Sequence, residues 1–578
     1  MNIIHERIHK KYTAAIRLKQ VFGICRIRYL VDRKAGAMIA NRDLKSVRYI
    51  SKRHFDRLSF VKFIPVLDGI RNRFPDRKVD GKDKFVAKPA AFCKFVSPHR
   101  CLFNRFDPAR QCYFLYLSHN IMSFTLSVYA LYCQDKRITF VLRLNDMKLR
   151  SANSVRGMII LPGDKSISHR AAMFAAIADG ETRIENFSRA VDCHATLNAV
   201  ESIGVRVERN GTTIIINGVG KTGLTPPSGP IDCGNSGTTI RLLSGILAGQ
   251  SFDSTLTGDE SLAQRPMKRI IDPLIQMGAK IDAESYRVPI KIFGGGKLIA
   301  REHELKVASA QVKSCILLAG LNADGRTTVV EPVETRDHTE RMLRWFGVEV
   351  DEKITADGKR ISVDGHSRLT AKDLSIPADI SSAAFFLVAA ACLPGSQLTL
   401  PNVGLNRTRR AIIEILRQFG AAITIENERI VCNEPVGDLI VKSREKWQPA
   451  GTANVVRGDV IANLIDEIPI LAVFGTQIEG GLEVRDAAEL RVKESDRIAS
   501  IVENLRRMGA DVEEFDDGFR VSRSRLKGAE IDSFGDHRIA MAFAVAALFA
   551  DGETDIGRAE CADISFPGFF ETLVSVVV

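Results

Sequence analysis

The feature that most limits what this chain can fold into is a repeat. After residue 150 a helix-like apolar stretch runs into a Gly-containing turn and then a Thr-rich or β-branched strand. The pattern recurs at ADGETRIEN (178–186), LAGQSFDSTLTG (247–258), NADGRTTVVE (322–331), LPGSQLTLPN (393–402), a divergent FGTQIEGGLEV (474–484) and FADGETDIG (549–557). Between these turns lies a second signature, a helix ending in Gly followed by a short alternating strand pair, as in SIGVRVERNGTTIIING and WFGVEVDEKITADGKRISVDG. Gly after each helix supplies the left-handed C-terminal turn, and an NG, DG or polar pair closes the hairpin. Equivalent turns recur at about 70 residues, so six copies of a strand–helix–strand–helix–strand–strand unit account for the chain beyond residue 150. Such units bury both faces only by packing on one another, which predicts one or two large α/β domains.

The repeat stops where the charge changes. The whole chain carries 81 Lys and Arg against 69 Asp and Glu, a net charge of +12. Residues 1–150 hold 32 of the basic and 11 of the acidic residues, leaving 49 against 58 in the repeat region. The basic average therefore belongs to an unpatterned first quarter, and the repeat region is net acidic. That first quarter shows no sustained helical or strand period. Its uncharged stretch from Gln111 to Gln134 is long enough to cross a bilayer, but His119, Asn120 and several hydroxyls leave its hydropathy marginal, and no membrane span is expected. It reads as a basic nucleic-acid-binding appendage, a poorly ordered extension, or translation from a start codon placed too far upstream. The composition change just before Met147 and Met158 favours the last. Eleven cysteines without CxxC pairs fit reduced thiols rather than a disulfide or zinc framework.

The strongest chemical motif is Leu161-Pro-Gly-Asp-Lys-Ser-Ile-Ser-His-Arg170, which follows a short strand at 157–161 and opens an apolar helix. Lys165, Ser166, Ser168 and Arg170 crowd the helix start, where free N–H groups favour anions. A nucleotide phosphate loop would need Gly directly before the Lys, and Asp164 stands there. The turn Asp232-Cys-Gly-Asn-Ser-Gly-Thr-Thr-Ile-Arg241 repeats the theme. So do Arg265-Pro266, Ser309-Ala-Gln311, Arg336-Asp-His-Thr-Glu-Arg341, Asp466-Glu467, Lys493-Glu494-Ser-Asp-Arg497 and Asp536-His-Arg538. Taken alone, each is also what a solvated helix start looks like. Together they imply a substrate with several negative charges, for which the planar fork of Arg is suited.

In this order the motifs LPGDKSISHR, GNSGTT, QRP, TRDHTER, DEIPIL, LRVKESDR and GDHRIAM resemble the 5-enolpyruvylshikimate-3-phosphate synthases, from about Met158 to Phe570. The SAQ form at 309–311 and the KESDR wording resemble the bacterial class II branch. The resemblance implies an α/β, two-lobed enolpyruvyl transferase fold, an inside-out α/β barrel of six βαβαββ repeats, three per lobe. One lobe would comprise 154–163 and 377–578, the other 164–376, with 1–150 unassigned. It implies transfer of enolpyruvyl from phosphoenolpyruvate to the 5-hydroxyl of shikimate 3-phosphate, on the route to chorismate and aromatic amino acids. Lys165, Ser166, Arg170, Ser309, Ala310, Gln311, Arg336, Asp466 and Lys493 would hold shikimate 3-phosphate. Lys165, Asn235, Gly237, Arg265, Gln311, Arg497 and Arg538 would hold phosphoenolpyruvate. Asp466 would be the base near the 5-hydroxyl and Glu494 the proton donor to the methylene carbon, with Lys165 and Lys493 beside them. The resemblance further implies a cytoplasmic monomer with no metal, no organic cofactor and no nucleic-acid partner.

Two departures stand out. Asn406-Arg407-Thr-Arg409 occupies a place where the family commonly has Asn-Pro-Thr-Arg, so the helix after it is expected to start differently. Near the end, Ile564-Ser-Phe-Pro lacks a Lys found in some members, which again fits class II. Gly237 stands where tolerance of the herbicide glyphosate is associated with Ala, so sensitivity is expected. A sister family acting on UDP-N-acetylglucosamine would show a reactive loop Cys and lack KSxSxR, whereas Cys233 here lies inside the anion turn.

Overall fold

The structure, a computed structural model, describes residues 147–444 and 454–578 in full, together with the backbone of strands between Arg28 and Arg150. It divides into two compact units, Met1–Lys148 and Leu149–Val578. In the first, the uncharged stretch at 111–134 holds two antiparallel strands, Cys112–Ile121 and Phe124–Tyr132. Here the structure departs from the expectation of no strand pattern. In the sequence, aromatic and other apolar residues follow one another at consecutive positions along this stretch, so its β-preference shows no alternation. No helix among the described residues is long and apolar enough to cross a membrane. The readings of the basic segment as appendage, extension or start-site artefact fall on residues outside those described.

The second unit is the repeat made solid. Its five four-stranded sheets share one topology. In the sheet of Ile231–Asp232, Ser254–Thr257, Lys280–Asp282 and Ile290–Phe293, the first two strands are parallel and the last two add as an antiparallel hairpin. The hairpin is inserted in reverse, so the spatial order is first, second, fourth, third. The sixth unit pairs Glu530–Asp532 in parallel with Glu553–Gly557. The glycines expected to end the outer helices, Gly204, Gly278, Gly347, Gly420 and Gly509, all have positive φ.

In each unit an inner helix leads into the second strand of the parallel pair: α1 (Lys165–Ala176), α2 (Gly237–Leu247), α3 (Ala310–Gly320), α4 (Ile380–Cys392), α5 (Ile468–Gly475) and α6 (His537–Ala547). Their sequences explain their place. The α4 segment ISSAAFFLVAAAC is apolar or small all round and is buried from Ile380 to Ala391, as a helix without a polar face must be. An outer helix such as Arg497–Arg507 instead buries Ile498, Ile501, Val502 and Leu505 and leaves Glu503, Arg506 and Arg507 in water. Helices α4, α5 and α6 pack on one another, and α2 packs on both α1 and α3. Gly245 permits the last contact: a Cβ there would lie 2.2 Å from the carbonyl oxygen of Cys315 on α3. One contiguous apolar core is built from residues between Ile167 and Ile376.

Two units borrow their first strand from a distant part of the chain. Leu374–Ser375 pairs with Asp179–Glu185, and Arg156–Met158 pairs with Gln397–Gly404. The crossing segments run together, Asp164 N–H donating to Pro377 O (2.8 Å) and Asp379 N–H to Pro162 O (3.0 Å). Arg409, from the departing Asn406–Arg409 loop, reaches Asp164 (3.4 Å) and Asp379 (3.5 Å), the N-caps of α1 and α4. In that loop Asn406 Oδ1 accepts from Thr408 N–H (3.0 Å), and the next helix begins only at Ala411.

Candidate active site

Helix starts make the site. Asp164 caps α1 by accepting from Ile167 N–H, Ser236 caps α2 through Thr239 N–H, and Ser309 caps α3 through Val312 N–H. Asp536 caps α6 through Arg538 N–H. The residues singled out in the sequence sit in the first turns of these helices or in loops that reach them. The positive ends of several helix dipoles are thereby collected with Lys and Arg side chains.

The centre is a pair of carboxylates held by arginines. Arg336 Nη2 lies 2.5 Å from Asp466 Oδ2 and Arg497 Nη1 3.3 Å from Asp466 Oδ1. Arg497 is almost fully buried and also reaches Glu494 (2.7 Å) and Asp536 (2.8 Å). Arg265 approaches Glu494 at 3.4 Å. Burial alone would raise both acids, yet Arg336, Arg538, Arg497 and Lys493 hold Asp466 well below the usual carboxylate range. Arg497, Arg265 and Lys165 do the same for Glu494. Both are carboxylates in this ligand-free state.

Around them the remaining predicted residues form two connected arms. Burial works against the Lys165 ammonium, but Asp192 at 2.6 Å keeps its pKa above the ordinary value. Arg170 donates to Ser166 O (3.0 Å), Thr339 Oγ1 (2.7 Å) and Ser314 Oγ (2.9 Å), and Ser314 in turn donates to Ala310 O. Burial lowers Arg170 to about 10. In the second arm Arg265 donates to Asn235 Oδ1 (2.6 Å), and Gln311 accepts from Arg241 (2.7 Å) while donating to Thr238 (2.9 Å). Gly237 lies where these meet: a Cβ would stand 2.8 Å from Arg241 Nη1 and 3.2 Å from Arg265 Nη1. Lys493 has no ion-pair partner among the described residues, and burial lowers its pKa despite the charge of Asp466 nearby. Arg538 adds its charge to Asp466, and its buried Nε lacks a hydrogen-bond partner.

Some participants escaped the sequence reading. Arg241 stands four residues after Gly237 on the same helix, and that spacing could have found it. His537 lies inside a motif already singled out. It is buried, its Nδ1 is unpartnered, and burial with the charge of Lys165 keeps it neutral. Asp192 had no signal, because it begins an ordinary outer helix.

Taken together, Lys165, Arg265, Arg336, Lys493, Arg497 and Arg538 outnumber Asp192, Asp466, Glu494 and Asp536 in one largely buried site. Repeat fold and site define an enzyme that holds polyanionic small molecules beside a carboxylate pair. The sequence matches the family EPSP synthase (3-phosphoshikimate 1-carboxyvinyltransferase) over residues 149–573, and the chain belongs to that family. It is 50% identical over 429 residues to a 3-phosphoshikimate 1-carboxyvinyltransferase of Solibacter usitatus (strain Ellin6076), covering 74% of this chain and 99% of the relative. The corresponding protein of Brevibacillus brevis is 48% identical over 433 residues, with 74% and 99% covered. Among solved structures, an EPSP synthase from Acinetobacter baumannii superposes with a TM-score of 0.67 at 43% identity, covering 75% of this chain and 98% of that one.

Proposed function

We infer that the protein transfers the enolpyruvyl group of phosphoenolpyruvate to the 5-hydroxyl of shikimate 3-phosphate and releases phosphate. The observation that carries this reading is the Asp466–Glu494 pair bracketed by Arg336, Arg265 and Arg497. Arg336, with Ser166, Arg170, Ser309, Ala310 and Gln311, takes the shikimate 3-phosphate side. Arg265, Arg497 and Arg538, with the Asn235–Gly237 turn and Gln311, take phosphoenolpyruvate. Lys165 serves both, and Lys493 joins the shikimate 3-phosphate side close to the reacting hydroxyl.

The depressed carboxylates supply a switch. The phosphate of shikimate 3-phosphate competes for Arg336, and phosphoenolpyruvate competes for Arg265 and Arg497. Each substrate removes cations that hold an acid down and brings negative charge of its own, so both pKa values rise on binding. Asp466 becomes a stronger base and accepts the 5-hydroxyl proton as its oxygen bonds to C2. Glu494, protonated in the loaded site, gives its proton to C3. The tetrahedral adduct then breaks its C2–O(phosphate) bond as C3 returns a proton to the Glu494 carboxylate, and the departing phosphate takes up the proton held by Asp466, so both carboxyl groups end as they began. The guanidinium groups stabilise the charge throughout, as preorganised donors do.

The lobes in this reading are 154–163 with 377–578, and 164–376. The paired crossings at Pro162–Asp164 and Pro377–Asp379 support that division, as does a core confined to Ile167–Ile376. The enzyme works as a cytoplasmic monomer without a nucleic-acid partner; six free cysteines among the described residues fit a reducing compartment. Action on UDP-N-acetylglucosamine is disfavoured, because burial pushes the Cys233 thiol up and away from reactivity. The test is phosphate release from phosphoenolpyruvate with and without shikimate 3-phosphate. Release should require both substrates and fall about 100-fold or more in Lys165→Met and Glu494→Gln, as loss of a positioned acid does. Release independent of shikimate 3-phosphate would refute the assignment.

A further inference from the structure

Two ion pairs span the same pair of segments. Arg265 and Arg269, four residues apart, face Glu494 and Glu489, five residues apart. The inner pair is loose, Arg265 Nη1 to Glu494 Oε1 at 3.4 Å, and both side chains are largely buried. The outer pair is a fork on a fork: Arg269 Nη1 lies 2.9 Å from Glu489 Oε2, and Nη2 lies 2.7 Å from Oε1. Arg269 belongs to the outer helix Lys268–Gln276, which begins three residues after Arg265. Glu489 belongs to the helical turn Ala488–Val492, which delivers Lys493 and Glu494. Burial opposes the Glu489 carboxylate, but the hydrogen bonds and charge of Arg269 keep its pKa below the ordinary value, with Lys493 and Arg241 adding to the effect. Nearby, Arg491 turns the other way, to Asp496 and Glu514.

The inner pair has to open if phosphoenolpyruvate is to take Arg265. The outer pair touches none of the residues assigned to substrate and can stay closed while that happens. Bidentate Arg–carboxylate geometry is the arrangement in which a half-exposed pair is worth more than the usual surface bridge. We propose that Arg269 and Glu489 are positioning residues for the transfer, their bridge keeping the Arg265 segment in register with Lys493 and Glu494 while substrate anions displace the inner pair. The inference rests on the function proposed above. Neither residue touches the reacting atoms, so their effect runs through Arg265 and Lys493–Glu494.

The experiment is a charge-swap cycle on the full chain, reading phosphate release and thermal unfolding for wild type, R269A, E489Q, R269E and the double variant R269E/E489R. The single changes should lower kcat/KM for phosphoenolpyruvate about 5- to 10-fold, R269E the most, because it sets two carboxylates face to face. Tm should stay near wild type, since both side chains are half in water, and R269E/E489R should recover most of the lost activity. Singles with wild-type kinetics would overturn the proposal. So would a double variant no better than the worse single, or a fall in Tm large enough to explain the loss. A wild type that releases no phosphate would instead defeat the proposed function, so the two failures are distinguishable.

Discussion

Gly237 shows how much of this site is decided by single atoms. Its missing Cβ leaves room for the Nη1 atoms of Arg241 and Arg265, and Arg265 also donates through Nη2 to Asn235 Oδ1. Gly237→Ala should leave the fold intact, since flexible guanidinium ends can move a few tenths of an ångström. It should raise KM for phosphoenolpyruvate several-fold while changing kcat little, and steady-state kinetics will show the split; an unchanged KM would contradict the crowding. Wild type should be inhibited by glyphosate in competition with phosphoenolpyruvate, and the variant less so. A second residue tests the charge reading away from the site. Burial, with Glu571 nearby, raises Asp563 to about 6, although Gly568 donates a backbone hydrogen bond to it. A folded pKa above the unfolded value means that stability from this group is present at low pH and lost as pH rises through about 6. Asp563→Asn should therefore stabilise the protein at pH 8 by about 1 kcal/mol, allowing for partial solvent screening, and by only a small fraction of that at pH 4, where the unfolded carboxyl is about half ionised. Unfolding melts at the two pH values will decide.

Elements are tied together inside a repeat by buried charge as well as by apolar packing. Lys313 on α3 lies 2.8 Å from Glu331 at the end of strand Arg326–Glu331 and 2.7 Å from Glu340 on helix His338–Trp345, all fully buried. Glu340 precedes Arg341 and follows Thr339, the partner of Arg170, so the triad underlies one arm of the site. Lys313→Ala leaves two buried carboxylates uncompensated and should cost about 3–5 kcal/mol, read as a lowered midpoint in urea unfolding. A cost below about 1 kcal/mol would mean that the triad is dispensable. At this scale the sequence was largely readable. Turn chemistry fixed where each helix ends, and α4 and α6 announce themselves as interior by having no polar face. What stayed hidden is pairing across long gaps. A strand was expected at 157–161, but only Arg156–Met158 pairs as one, because the residues after it are spent on the crossing to Pro377–Asp379. Leu374–Ser375 is two residues long and has no local signal; its partner lies some 190 residues earlier. Arg269 and Glu489 were invisible for the same reason.

At the scale of the molecule, two three-unit lobes present helix N-termini to a single site, and an acidic body binds anions by collecting its cations there. The motifs drew notice because they lie at helix starts or in loops that reach them. Their partners, Asp192 for Lys165 and Asp536 for Arg497, became legible only when the fold brought them together. The central claim is that the two sets of cations serve two different anions in one transfer. Phosphorus NMR of the protein with both substrates tests it most directly, because each substrate carries its own phosphate. The account predicts that inorganic phosphate appears in step with loss of phosphoenolpyruvate, while the shikimate phosphate resonance shifts to that of a new enolpyruvyl ether product in equal amount. Phosphate appearing without that shift, or no change in either resonance, would contradict it.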